Sequence, residues 1–427
     1  MLDIKFIREN RDLVAKGAQK KHIKFDLDGL LDLDDKRRVL LSSIEKKRAE
    51  QNVIGVKITR ATEGERQNYI EAMKYLKEGL QSEEAMLKEI MQKWQAIMLQ
   101  VPNLPDISVP EGETDGDNKE IKTWGEKTKF DFDAKDHIEL MTKLGMVDFE
   151  RGVKVHGFRG YFLVGDGARL CFAIWNYALD FFTNNKEKNR DFLPIIAPSI
   201  VRKISLYGTG HLPGDVEDFY MTQDGDVLSG TAEVPLMAFH SDETLELKDL
   251  PKKYLGFSNC YRREAGAHSK DVKALIRVHE FYKFEQLILC EAKHETSVAL
   301  HEEINRNTEE FIESLGIPYR TVINCGGDLG LGQVKKYDIE LWIPKEEKYR
   351  EISSASYFHD FQTRRLNIRY KDEEGKLRYA HSLNSTAIPT PRILVSLVEN
   401  CQEKDGSLRI PEVLVKYMGK DKILPVV

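Results

Sequence analysis

Between residues 27 and 97 the chain has no proline, and in the second half of that stretch apolar side chains return every seven residues. Met73, Leu80, Leu87, Trp94 and Val101 form one track and Leu76, Ile90 and Ile97 the interleaved one, with Glu83 as the polar interruption. Such a repeat is the seam of a coiled coil. The first half keeps the register more sparsely, through Leu33, Leu40 and Ile54 on one track and Ile44 and Ile58 on the other. The segment 59–66 contains Gly64 and interrupts both tracks, which predicts the turn of an antiparallel helix pair. Each helix would run for about 30 residues, or roughly 45 Å at 1.5 Å per residue. The expected form is a helical arm attached to a body.

That body is large, because 427 residues exceed one ordinary core and predict two domains of unequal size. Residues 101–118 are rich in Pro, Gly and Asp and cannot continue a helix, so the boundary falls there. We expect an N-terminal domain over 1–100 with the arm at about 27–98, a linker over 101–120, and a second domain over 121–427. In the latter, helical patterning at 167–182 is mixed with β-like runs at 192–197, 287–290, 337–343 and 349–353. These runs follow one another without strict βαβ alternation, which favours an α+β fold with an antiparallel sheet and flanking helices.

A net charge of −6 argues against a chain that coats nucleic acid indiscriminately. Charge is nevertheless uneven along the arm. Residues 36–60 carry eight Lys or Arg, including Arg37, Arg38, Lys46, Lys47 and Arg48, against Glu45 and Glu50, whereas residues 66–98 balance five against five. One face of the arm is therefore expected to be basic. The five cysteines, Cys171, Cys260, Cys290, Cys325 and Cys401, form no CxxC pair, so neither a disulfide framework nor zinc is expected and a cytoplasmic location fits. Residues 1–14 alternate charged and apolar side chains and no apolar run reaches membrane length, so neither a signal peptide nor a membrane partner is expected.

Four segments of the second domain concentrate charge inside apolar surroundings. They are Thr231-Ala232-Glu233-Val234-Pro235; Cys260 to Glu285, with Arg262, Arg263, Glu264, Arg277, Val278 and Phe281; Glu351-Ile352-Ser353-Ser354; and Asn384-Ser385-Thr386 running to Arg392. Arg262 and Glu264, two apart on a presumptive strand, would face one side together. Arginine offers phosphate a planar, permanently charged fork, and the carboxylate offers acceptors to an amino group. Neither GxxxxGK[ST] nor GxGxxG occurs, so a nucleotide would not be held by those loops.

In this order, and with the helical arm, the run 165–170 and the run 335–340, the segments resemble class II aminoacyl-tRNA synthetases, and among them the bacterial type of the seryl-tRNA synthetase family. The resemblance covers essentially the whole chain. It implies ligation of serine to tRNA: L-serine and ATP give seryl-adenylate, and serine passes to the 3′ end of tRNA(Ser), with tRNA(Sec) left open as a second substrate. Arg262 would bridge the α-phosphate and the serine carboxylate, and Arg392 would take the γ-phosphate. Arg263, Glu264, Val278, Phe281, Ile352 and Ser353 complete the implied ATP site, and Glu351 and Ser354 would hold Mg2+. Thr231, Ala232, Glu233, Arg262, Glu285, Asn384 and Thr386 would bind serine, with Glu285 on its hydroxyl. The resemblance also implies a homodimer with Pro198 at its interface, and an arm that grips the long variable arm of the tRNA. A catalytically silent RNA-binding paralogue and an amino acid:carrier protein ligase are the alternatives. Intact Arg262, Glu264, Glu285, Glu351 and Arg392 speak against the first, and the arm against the second.

Overall fold

A computed structural model of the chain describes residues 1–188, 190–214, 216–265 and 275–426. It separates into two compact units, Leu2–Gln19 with Ile23–Pro102, and Met1 with Lys20–His22 and Asn103–Val427.

The smaller unit is helical: α1 (Ile4–Glu9), α2 (Arg11–Lys20), α3 (Leu27–Arg60) and α4 (Glu63–Met98). Asp3 and Asp26 cap α1 and α3 by accepting from the amides of Lys5 and Gly29, which satisfies otherwise orphaned donors. Along α4, Met73, Leu76, Leu80, Glu83, Leu87, Ile90, Trp94 and Ile97 are all at least half-buried while their outer neighbours are exposed, as the heptad requires. The turn is much shorter than 59–66. Both helices run into that segment and leave only Ala61 and Thr62 outside, because Thr62 adopts the extended conformation of an N-cap and Gly64 is tolerated in the first helical turn. Glu83 has a partner in the seam: Lys47 lies 3.0 Å away and Ser43 donates to it at 2.9 Å.

The larger unit is built on an antiparallel sheet with one parallel edge. Its strands are β1 (Lys119–Trp124), β2 (Leu193–Ile196), β3 (Lys252–Tyr261), β4 (Glu280–Cys290), β5 (Tyr319–Ile323), β6 (Lys335–Ile343), β7 (Lys348–His359) and β8 (His381–Thr390). Their order is β1-β5-β6-β7-β8-β4-β3-β2, with β2 parallel to β3. The helices that matter for the site are α5 (Asp166–Thr183), α6 (Glu233–Ala238), α7 (His294–Ser314) and α8 (Arg392–Asn400).

Period-two alternation along β4 separates the two faces of the sheet. Phe284 and Ile288 join the main core with Phe182 of α5 and Ile304 and Phe311 of α7, and Gln286 donates to the carbonyl of Ile304. Leu287 and Leu289 point the opposite way and pack with Ala232, Leu236 and Met237 at α6. Lys283 and Glu285 share that second face. Gly256 of β3 sits directly across from Glu285, and a Cβ there would come within 2.4 Å of Leu236 Cδ1. A glycine at this point lets α6 lie close against the sheet.

Among the described residues the sheet has four register shifts, two of which bear on the site. One lies between β4 and β8, where Phe284 pairs with Ile388 but Glu285 pairs with Thr386. The other lies between β6 and β7, where Ile339 pairs with Ser353 but Glu340 pairs with Glu351. Each adds one residue to a strand and re-aims the side chains beside it. Among the described residues no helix is long and apolar enough to cross a membrane.

Candidate active site

The strand expected to carry both Arg262 and Glu264 ends at Tyr261. The amide of Arg262 still bonds to the carbonyl of His279, but Glu264 adopts φ +52°, so strand alternation does not govern it. A left-handed turn brings the two side chains to one cavity instead. The far end of this hairpin, 266–274, lies outside the described residues.

That cavity, of about 490 Å³, is lined by Thr231, Arg262, Glu264, Arg277, Glu351 and Arg392 among others. A narrower cleft of about 60 Å³ adjoins it and adds Val278, Phe281, Lys283, Ile352 and Thr386. The four segments that are far apart in sequence therefore meet at one place. The guanidinium of Arg262 lies 5.2 Å from the centroid of the Phe281 ring and donates to the Gly230 carbonyl at 3.3 Å. Glu264 is paired with Arg277 at 2.9 Å. Arg392, the first residue of α8, donates to the carbonyls of Ile276 and Glu351 at 3.0 and 3.2 Å. Burial disfavours its charge, and Arg262 and Arg277 add repulsion that Glu351 opposes.

Two carboxylates, Glu233 and Glu285, adjoin residues of the lining: Thr231 beside the first, and Lys283 and Thr386 beside the second. Thr231 accepts from the amide of Glu233 at 3.2 Å and so fixes the start of α6, with Ala232 fully buried behind it. The Glu233 carboxylate receives Gln362 Nε2 at 2.6 Å, and Gln362 accepts from Ser382 at 2.8 Å. Glu285 is 2% exposed and is held by Lys283 at 2.8 Å and by Thr386 at 3.3 Å. Burial raises the affinity of both carboxylates for a proton; Lys283 opposes the shift at each. Asn384 is buried near Glu233, and its side chain helps to lower the proton affinity of that carboxylate.

Other predicted residues lie elsewhere. Arg263 is exposed and donates to the Glu217 carbonyl, turned away from the cavity by the end of the strand. Ser353 is buried with its hydroxyl on the Thr386 carbonyl, so its side chain braces β7 against β8. Ile352 is the extra residue of the bulge, which allows Glu351 and Ile352 both to reach the cleft. Ser354 stands opposite Asp338, half-buried, and is not among the residues that line the two cavities. Pro198 is exposed just beyond β2, next to exposed Ile196 and Ile200.

In the arm, the register corrects two of the expected basic contacts. Arg37 and Lys47 occupy seam positions between the apolar ones: Arg37 pairs with Asp34 and lies over Trp94, and Lys47 pairs with Glu83. Arg48 is exposed and paired with Glu84, while Arg38 and Lys46 are exposed.

Comparison with known proteins decides the family. Residues 1–105 match the seryl-tRNA synthetase N-terminal domain, and residues 220–401 match the tRNA synthetase class II core domain (G, H, P, S and T). Serine--tRNA ligase of Deinococcus radiodurans is 43% identical over 99% of both chains. The chain belongs to the seryl-tRNA synthetase family. Solved seryl-tRNA synthetases resemble it along its full length: the Pyrococcus horikoshii protein complexed with ATP at TM-score 0.90 and 39% identity, with 100% of each chain covered, and the cytoplasmic Naegleria fowleri protein in complex with AMP at 0.86 and 31%, covering 100% of this chain and 99% of the other. These relatives are serine--tRNA ligases and seryl-tRNA synthetases, and they lend no support to a carrier-protein ligase or a silent paralogue.

Within this seryl-tRNA synthetase site, sequence reasoning passed over Lys283 and Gln362. Lys283 carried a signal, because it stands two residues from both Phe281 and Glu285 on one strand face. Gln362 carried none, since it follows a turn and reaches Glu233 only through the fold.

Proposed function

We propose that this chain is a serine--tRNA ligase that converts L-serine and ATP to seryl-adenylate and then esterifies serine to the terminal adenosine of tRNA(Ser). The carrying observation is the convergence of Arg262, Glu264, Glu351 and Arg392 on one cavity, with Thr231 and Thr386 on the lining beside Glu233 and Glu285. Amino acid activation joins two anions that repel each other, the carboxylate and the triphosphate. Fixed guanidinium groups offset that charge and align the reacting atoms. Arg262 bridges the serine carboxylate and the α-phosphate, Arg392 takes the γ-phosphate, and Phe281 supports the adenine with Glu264 near its amino group.

Serine is read below. Its ammonium goes to Thr231 and Glu233, its hydroxyl to Glu285, and Asn384 and Thr386 complete the wall. A site built to bond a hydroxyl is left with unpaired buried acceptors when alanine enters, which rejects alanine strongly.

Magnesium accompanies the ATP in this reading. A small hard ion of this kind keeps waters and uses substrate oxygens. Glu351, on the cavity lining, would supply a protein ligand. Bound there, it would neutralise phosphate charge.

The arm is proposed to hold the long variable arm of tRNA(Ser) through backbone and shape, with exposed Arg38, Lys46 and Arg48 as the basic contacts. The apolar residues Leu193, Ile196 and Ile200 around the open β2 edge, 58%, 86% and 59% exposed, support a homodimer through this edge, with Pro198 at the contact. The protein is assigned to the cytoplasm. The decisive test is ATP–pyrophosphate exchange with each of the twenty amino acids: exchange is expected with serine alone, and serine-independent or absent exchange by folded protein would refute the assignment.

A further inference from the structure

Lys283 belongs to none of the roles above, yet it is 6% exposed on the face that carries the site. Its ammonium is 2.8 Å from Oε2 of Glu285, and the two residues stand side by side on β4. Thr386 donates to the same oxygen at 3.3 Å. One oxygen of Glu285 is thus occupied from within the protein, and the other remains for a ligand.

We propose that Lys283 is a specificity-determining residue: by occupying Oε2 of Glu285 it holds that carboxylate in its acceptor-only form, so that the other oxygen demands a hydroxyl donor from the amino acid. This inference rests on the reading of Glu285 as the serine hydroxyl acceptor.

The charges around the pair make the lysine necessary. Glu233 faces Glu285 from α6 and repels its charge, and Cys260 faces them from β3 as a thiol whose own ionisation is suppressed by burial. Arg262 lies just beyond the end of β3 and acts on Cys260. Lys283 is the cation that lowers the proton affinity of both glutamates. Two buried carboxylates without a cation do not both ionise; one keeps a proton. A protonated Glu285 gains an O–H donor and no longer needs a donor from its ligand. Alanine then leaves nothing unpaired, and the discrimination that rests on an acceptor-only carboxylate falls.

Equilibrium binding of the non-reacting seryl and alanyl sulfamoyl-adenosines tests this without requiring turnover. In Lys283→Met the preference for the seryl over the alanyl compound should fall by at least about tenfold, and Lys283→Arg should retain most of it. The preference of the Met variant should recover as pH rises and removes the proton from Glu285, a recovery that a purely structural defect would not show. Lys283→Gln provides a second neutral variant if the Met form does not fold, and Glu285→Gln separates the two levels of the argument. An unchanged preference in folded Met or Gln variants, with a collapsed one in Glu285→Gln, would overturn the role of Lys283 alone. An unchanged preference in Glu285→Gln as well would overturn the hydroxyl assignment on which it rests.

Discussion

Adding one methyl group at Gly256 should damage serine recognition without touching a substrate-binding side chain. Gly256 pairs with Glu285 across β3 and β4 and faces α6. An alanine Cβ would lie 2.4 Å from Leu236 Cδ1, 3.0 Å from Leu236 Cγ and 3.3 Å from Ala232 Cβ, where ordinary contact begins at 3.4 Å. The space is therefore short by about 1 Å on the Leu236 side. Leu236 is 1% exposed and Ala232 is fully buried, so neither yields easily and α6 itself must shift. Overpacking of this kind costs about 1–3 kcal/mol. Ala232 and Leu236 flank Glu233 on α6, so the same shift displaces its carboxylate, and a misplacement of about 1 Å can cost up to about a hundredfold in rate. Chemical denaturation of Gly256→Ala should show the loss of stability, and exchange kinetics should show a raised KM for serine with that for ATP much less altered. Adding Leu236→Ala makes room and should restore part of the serine KM. A Gly256→Ala protein with wild-type stability and wild-type serine dependence would refute the claim that the close approach of α6 builds the pocket.

Three further outcomes test other parts of the molecule. In the arm, replacing exposed Arg38 and Lys46 by Glu should lower tRNA(Ser) charging about tenfold or more while changing serine-dependent exchange far less, and the charging defect should deepen with added salt. Lys47→Met should instead shift arm stability, measured by thermal melting, because Lys47 serves Glu83 in the seam. For pH, His301 is buried with Nε2 on the Ala355 carbonyl at 2.9 Å and no partner at Nδ1, and burial lowers its pKa from 6.5 to about 4. The folded state binds fewer protons than the unfolded one between those values. Stability is fully present above about pH 6.5 and is lost as pH falls toward 4, by about 3 kcal/mol from this group. His301→Gln should flatten that slope in denaturant titrations, and an unchanged slope would exclude His301 as its source.

What could be read from the sequence was whatever repeats or carries charge in an apolar setting. The seam of α4 was legible because every predicted position from Met73 to Ile97 is turned toward a helix partner. The basic residues of α3 were misread for a related reason: charge counting ignores register, and register turns Arg37 and Lys47 inward. In the larger unit the charged motifs named several residues of the cavity, among them Arg262, Glu264, Glu351 and Arg392, but not how they reach it. Glu264 arrives through a positive φ and Glu351 beside a bulge, two features without a period. The run 385–391 gave no hint that Thr386, displaced by a second bulge, would face Glu285. The side chains of Arg263 and Ser353 each end on a backbone carbonyl, a partner that no sequence pattern announces.

The proposed chemistry also explains why opposite charges are stacked in depth. Serine enters as a zwitterion, and only one orientation places its carboxylate beside Arg262 and its ammonium beside Glu233. In the reverse orientation each end would meet its own sign in a poorly solvated pocket, where repulsion is weakly screened. The arginines that align the phosphates thereby also orient the amino acid, and the acidic floor directs the side chain to Glu285. Threonine offers the same hydroxyl, so hydrogen bonding alone cannot reject it, and its extra methyl must meet a wall that does not move. Thr386 and Asn384 stand on β8 in the middle of the sheet, and Glu233 is tied through Gln362 to Ser382 of the same strand. That bracing makes the steric limit rigid. Gln362→Ala, which cuts the tie while leaving every proposed substrate contact in place, should therefore raise threonine-dependent exchange relative to serine by several-fold, and an unchanged ratio in a folded variant would show that the wall is held by packing alone.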